Sequence, residues 1–183
     1  MSQIVESLLL LARADAGISA AARRMVSMND VVTEAIERCH PHARQRELPL
    51  VPRLPEGESE DPDVAGDFDL LVALVSNLVR NAIRFSPPGE PIEIELRLDA
   101  ADVVVTIRDR GPGIAPERLP HIFERFYQAV RDGEEAKGTG LGLAIASSVA
   151  KLHGGAIEAR NRSPRGCEFI VRIPRLGNMA GEG

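Results

Sequence analysis

"VVVTIRDRGPGI", residues 103 to 114, opens on a run of β-formers and closes on an Asp and two glycines separated by a proline. β-Branched residues in series suit a pleated strand, and Asp109 marks its end. Gly111 and Gly113 permit backbone conformations closed to other residues and allow a ligand to approach the main chain. A tight turn explains part of this, because Asp-x-Gly is a common turn sequence. Asp109 could equally accept a hydrogen bond from a buried ligand amine. The rest of the chain decides between the two.

Around this stretch the elements fall into order. "PIEIELRL" (91–98) reads as a strand joined to 102–109 by a short "DAA" connection, a hairpin signal. "AIEARN" (156–161) and "CEFIVRI" (167–173) read as two more strands, and "LPLVPRL" (48–54) as a short edge strand demoted by its prolines. A long helix is expected from about Asp67 to Phe85, stopped by "SPPG", with Leu71, Leu74, Leu78, Ala82 and Phe85 at core spacing. A helix over "LGLAIASSVAKLHGG" ends at Gly154, where His153 reads as a cap. Another begins with Asn29 or Asp30 as its cap and buries Val32, Ile36 and Cys39. Residues 1–16 form an amphipathic helix with Ile4, Leu8 and Leu11 on one stripe and Val5 and Ala12 beside it. Residues 17–28 read as a linker, "PEGESEDPDVAGD" (55–67) as a solvated loop, 110–140 as a long Gly-rich loop, and 177–183 as a disordered tail. Strands in the second half, with helices before and between them, indicate an α/β (α+β) two-layer sandwich. Its sheet has about five strands, and three helices cover one face.

Composition narrows the function. In 183 residues the hydrophobic fraction is 44% and the charged fraction 27%, ordinary for a globular chain. A net charge of −5 without a basic stripe, and aromatics at 3%, argue against nucleic acid as a partner. Cys39 and Cys167 form no CxxC pair. The aliphatic run 8–11 is too short to span a bilayer. The sequence implies no direct membrane contact. "CHPH" (39–42) offers three potential metal ligands, but at poor spacing and within a helix.

Two further patterns carry chemistry. Asn77 and Asn81 sit one helical turn apart, with Arg84 nearby. Asn is a poor helix-interior residue because its amide competes for backbone groups. Two on one face are either a solvated stripe or an amide oxygen offered to a hard cation beside a phosphate-binding base. In "KGTGLGLAI" (137–145), Gly138, Gly140 and Gly142 lead into a helix whose N–H groups can meet an anion. The stretch lacks the Lys-Ser/Thr of a Walker A loop. No strand directly precedes it, as a Rossmann turn requires.

The order of these pieces resembles the ATP-binding domain of sensor histidine kinases, within the GHKL (gyrase, Hsp90, histidine kinase, MutL) ATPase superfamily. "NLVRNAIRFSPPG" resembles the N box, "IRDRGPGI" the first G box, "FERFY" the F box and "GTGLGLAI" the second G box, from about residue 67 to 174. The resemblance implies a Bergerat-type fold, a mixed and mostly antiparallel sheet, with a long ATP lid and ATP and Mg²⁺ as ligands. It makes Asn81 the Mg²⁺ ligand, with Asn77 and Arg84 in the same site; Arg84 stands where the family usually has Lys. Phe85 would pack against adenine and Asp109 would bind its amino group, with Gly111, Gly113 and Ile114 giving the nucleotide room. Lys137, Gly138, Thr139, Gly140, Leu141 and Gly142 would line the phosphates. Phe123 and Phe126 would anchor the lid, and Arg125 would contact the γ-phosphate.

The resemblance also divides the chain. Residues 1–16 resemble the end of the second dimerisation helix, and 29–176 the ATP-binding kinase domain. No histidine here has the neighbourhood of a phosphoacceptor, Ser-His-Glu-Leu-Arg-Thr-Pro-Leu. The acceptor is therefore expected upstream of Met1, with this chain a fragment cut within the dimerisation hairpin. The implied partners are the dimerisation and phosphoacceptor domain of the same kinase, homodimeric at full length, and a response regulator. The implied location is the cytoplasmic side, as part of an inner-membrane receptor. In the superfamily's hydrolases a Glu four residues before the metal-binding Asn acts as general base; here that position is Asn77, which implies weak ATP hydrolysis. A clamp-type hydrolase and a non-catalytic ATP sensor remain as other readings.

Overall fold

The computed structural model describes residues 3–16, 24–55, 62–128 and 139–176. The linker residues 17–23, the tail 177–183, and Lys137 and Gly138 lie outside the described residues.

Helix α1 (Gln3–Ala16) is followed by strand β1 (Arg24–Ser27), helix α2 (Met28–Gln45), strands β2 (Leu50–Arg53) and β3 (Asp63–Gly66), and helix α3 (Phe68–Phe85). Strands β4 (Ile92–Leu98) and β5 (Asp102–Arg108), helix α4 (Gly142–Leu152), and strands β6 (Ala156–Asn161) and β7 (Cys167–Pro174) complete the order. The main sheet runs β2-β4-β5-β7-β6, with β2 parallel to β4 and all other pairs antiparallel. This is the expected five-stranded mixed sheet, with Pro52 on an edge strand where a missing N–H is tolerated.

Period-two alternation sends Ile92, Ile94 and Leu96 of β4, Val103, Val105 and Ile107 of β5, and Phe169, Val171 and Ile173 of β7 into the core. The other face carries ion pairs around the buried Val104, Thr106 and Ile170. Arg108 reaches Glu95 at 2.6 Å and Glu168 at 3.3 Å, and Arg172 reaches Glu158 at 2.5 Å. Such cross-strand pairs stabilise neighbouring strands where charged side chains are partly exposed.

Helix α3 buries Leu71, Leu74, Leu78 and Ala82 as expected, and also Leu70, Val72, Val75, Val79 and Ile83. It is apolar around most of its girth because it lies against α2 and α4 as well as the sheet layer. Asp67 caps it, Oδ1 accepting from Leu70 N–H at 3.1 Å. Phe85 departs from its core spacing. At the last turn of α3 the residue is 44% exposed.

Three other expectations change. The cap of α2 is Ser27, not Asn29 or Asp30: its hydroxyl accepts from Asp30 N–H, so the helix begins two or three residues earlier. Val32 and Cys39 are buried as read, Ile36 is half-buried, and the helix runs through Pro41. Strands form at 24–27 and 63–66, in segments read as linker and loop. They pair antiparallel with Val26 opposite Val64, and Met28 N–H donates to Pro62 O at 3.0 Å. Each strand buries too little to leave a periodic signal. On α1, Leu11 is buried against the α4 side, whereas Val5, Leu8 and Leu9 are exposed.

The far end of α3 is held by a residue outside every motif. Arg46 Nη1 donates to Ile83 O at 2.5 Å and Arg84 O at 2.7 Å, and its Nη2 to Ser86 O at 3.3 Å. These are carbonyls a helix C-terminus leaves unpaired, and a cation there also meets the negative end of the dipole. Arg46→Ala is expected to lower the unfolding free energy by about 2 kcal/mol. The readout is a lower urea midpoint at unchanged slope. Arg46→Lys should recover only part, since an ammonium lacks the fork. An unchanged midpoint in Arg46→Ala would show that water serves those carbonyls equally well.

Candidate functional site

Three glycine contacts bring the candidate segments together. A Cβ on Gly111 would lie 2.8 Å from Phe85 O and 3.0 Å from Asp109 Oδ1, so the turn after β5 rests against the end of α3. A Cβ on Gly142 would lie 3.0 Å from Asn77 Oδ1, which seats the start of α4 against the middle of α3. Gly140, at φ +68°, would strike the backbone of Phe126 at 2.7 Å, and Phe126 N–H donates to Gly140 O at 3.0 Å. Segments remote in sequence thus meet at distances that only glycine allows.

Asp109 lies at the centre of this arrangement, 3% exposed. Its Oδ1 accepts from Gly111 N–H at 2.8 Å and Cys167 N–H at 3.2 Å. Among the described residues no hydrogen bond reaches Oδ2. An acceptor oxygen left open on a buried residue is a recognition point for a ligand N–H. The Cys167 thiol beside it is pushed up to about 12, by burial first and by the Asp109 carboxylate second. It stays a thiol.

The two α3 amides differ. Asn77 Nδ2 donates to Ala73 O at 2.9 Å, which turns its group back onto its own helix and toward Gly142. Asn81 is half-buried, and among the described residues nothing bonds to its amide. Its oxygen is therefore available as a hard ligand for a divalent cation. Arg84 lies over the Phe85 ring, 5.0 Å from its centre. Phe85 thus meets the site through its carbonyl at Gly111, with its ring turned to the surface.

At the anion end, Leu141 precedes α4 without a side-chain cap, so the first N–H groups of the helix keep their capacity for a ligand. Thr139 Oγ1 accepts from Leu141 N–H at 3.3 Å. Phe123 packs edge-on against Phe169 with ring centres 6.5 Å apart, anchoring the segment after Ile114. Phe126 is 63% exposed at φ +63°, and Arg125 is exposed.

His153 is the cap it was read as, and more. Its Nδ1 lies 2.8 Å from Val149 O, and its Nε2 accepts from Asp67 N–H at 3.1 Å, joining the end of α4 to the start of α3. In the "CHPH" run, Cys39 points into the core toward Ser76 O while His40 and His42 are exposed, so the three do not converge on one point. Among the described residues no helix is long and apolar enough to cross a membrane.

Sequence reasoning missed Arg46 and the backbone N–H of Cys167. Neither lies in a motif, and each acts on residues far along the chain.

Residues 66–177 match the family of histidine kinase-, DNA gyrase B- and HSP90-like ATPases, and the chain belongs to it. The sensor histidine kinase RppB of Synechocystis is 35% identical over 175 residues, covering 95% of this chain and 38% of that protein. The chain thus spans less than two fifths of that relative. Among solved structures, the mycobacterial sensor histidine kinase MprB superposes with a TM-score of 0.70 at 30% identity, over 83% of this chain and 97% of that one. Full-length ShkA, solved in complex with AMPPNP, gives 0.76 at 26% identity, over 93% of this chain and 35% of that one.

Burial raises the Asp109 pKa above its ordinary value, while its two backbone hydrogen bonds and Arg162 act in the opposite sense. Folding therefore favours the protonated form. That contribution is complete below the unfolded carboxyl's ~3.9 and is lost as pH rises through the raised folded value. Asp109→Asn keeps an oxygen for both N–H donors and carries no charge. Its stability relative to wild type is expected to rise as pH climbs above ~4 and through the raised folded value, measured as urea midpoints. A difference independent of pH would contradict the burial cost.

Proposed function

We propose that the chain binds Mg–ATP and transfers its γ-phosphoryl group to a histidine of a phosphoacceptor domain, for relay to a response regulator. What supports this is that Asp109 Oδ2, the Asn81 amide and the uncapped start of α4 lie on segments that the glycine contacts at 111, 140 and 142 join. A base amine suits the first, a cation the second and phosphates the third. The relatives' own names, and the AMPPNP complex of ShkA, support the same reading.

In this reading Asp109 binds the adenine amine, with Gly111, Gly113 and Ile114 beside the base and Phe85 at its edge. Asn81 would hold Mg²⁺, which when bound supplies charge neutralisation at the phosphates. Gly140, Leu141, Gly142 and Thr139 serve the phosphates through the backbone, joined by Lys137 and Gly138, and Arg84 and Arg125 supply positive charge. The γ-phosphorus bond to the bridging oxygen breaks, a bond to the imidazole nitrogen forms, and ADP leaves. Catalysis then rests on positioning and electrostatics. Asn77 cannot take a proton near pH 7, so water activation lacks a general base and the γ-phosphate persists for transfer.

The exposed Val5, Leu8 and Leu9 of α1 support reading 1–16 as the end of a dimerisation helix beside the kinase domain at 29–176. In this reading the domain lies on the cytosolic side, where ATP is available.

The test is calorimetric titration of MgADP into wild type and Asn81→Ala. Wild type is expected to bind, and the variant to lose at least about tenfold in affinity, the worth of a hydrogen bond to a charged group or more. Equal affinities would remove Asn81 from the metal site.

A further inference from the structure

The β6–β7 hairpin lies outside all four nucleotide motifs, yet it grips both ends of the turn that follows β5. Asn161 and Cys167 are cross-strand partners at its open end. Cys167 N–H donates to Asp109 Oδ1 at 3.2 Å, and Asp109 N–H donates to Cys167 O at 3.0 Å. Across from it, Asn161 Oδ1 accepts from Ile114 N–H at 2.8 Å while its Nδ2 donates to Ile114 O at 2.7 Å. One side-chain amide thus satisfies both backbone groups of a single residue, as a strand neighbour would.

The fit between the two segments is tight. Gly113 is at φ +78°, and a Cβ there would lie 2.9 Å from Asn161 Oδ1. A Cβ on Gly166 would lie 2.1 Å from Asp109 O. Arg162 Nη1 also reaches Asp109 O, at 3.3 Å.

We propose that Asn161 is a positioning residue for the nucleotide: with Cys167 it fixes residues 109 and 114 on one rigid hairpin, and so sets where Asp109 Oδ2 and the Gly111–Gly113 backbone meet the base. It touches no ligand and acts through Ile114. The physical reason is preorganisation. Gly111 and Gly113 make the turn permissive, so a turn with no external hold would sample many conformers, and each nucleotide would have to order it on binding. A hairpin strand supplies the hold because it is itself fixed by the sheet. Asn161 is exposed, and substitution of an exposed side chain generally changes global stability by little. An Asn at this position that serves ligand binding should therefore separate affinity from folding.

The inference rests on the nucleotide reading of the site, and the experiment keeps the two apart. MgADP is titrated calorimetrically into wild type, Asn161→Ala and Asn161→Asp, with urea midpoints taken on each. Asn161→Ala loses both bonds and is expected to weaken MgADP by about tenfold at unchanged stoichiometry. Asn161→Asp keeps the acceptor for Ile114 N–H and loses the donor, so its affinity should fall between the other two. Damage to the fold alone would lower the midpoint and the binding stoichiometry and leave the affinity of the intact fraction unchanged. Amide exchange gives a second readout without nucleotide: Ile114 N–H should exchange at least about tenfold faster in Asn161→Ala, with the β5 amides unaffected. Wild-type binding with both variants within twofold of it would overturn this inference and leave the nucleotide reading standing. A wild type that binds no MgADP would overturn both.

Discussion

Among the described residues, only one oxygen of the Asp109 carboxylate, at the end of β5, has a hydrogen-bond partner. Oδ1 takes the two backbone N–H groups, and Oδ2 is left for something else. Keeping a carboxylate on a buried residue with an open acceptor costs free energy until a donor arrives. The surrounding architecture accepts that cost and holds the group still. The turn, the β6–β7 hairpin and the last turn of α3 all press on the same few backbone atoms, and glycine at 111 and 166 is what lets them approach.

This hold comes from two directions. From the helical layer, Arg46 grips the carbonyls at the end of α3, so Phe85 O stays against Gly111. From the sheet, Cys167 and Asn161 grip the two ends of the turn. Asn77 against Gly142 then fixes α4 relative to α3, so the anion end of the site is set by the same helix that sets the base end. The His153 bridge to Asp67 N–H ties the opposite ends of those two helices. A shift of α3 along its axis would therefore disturb Asn81, Gly111 and Gly142 together.

Much of this was legible in the sequence where the signal was local. Alternation gave β4, β5 and β7, the Asp67 cap and the "SPPG" stop bounded α3, and the spaced Asn and Gly residues marked the site. What stayed hidden lacked either periodicity or nearness. Strands β1 and β3 have four residues each, and pairing them needs Val26 to find Val64 across a long intervening stretch. Arg46 serves carbonyls 37 to 40 residues away, and Asn161 serves Ile114 at a separation of 47, so no window along the chain contains both partners. Phe85 was misplaced for a different reason. Helical spacing gives the direction of a side chain, but not whether a neighbour extends far enough to cover it.

The central claim is that the open Asp109 oxygen reads the amine of an adenine base. Its most direct test compares MgADP with MgIDP on the wild-type chain by calorimetry, because inosine carries a carbonyl where adenine carries the amine. The carboxylate would then face an acceptor in place of a donor. ADP is expected to bind about 10- to 100-fold more tightly, the worth of a hydrogen bond to a charged group. Affinities within twofold of each other would contradict the account, since the base would then be held without Asp109.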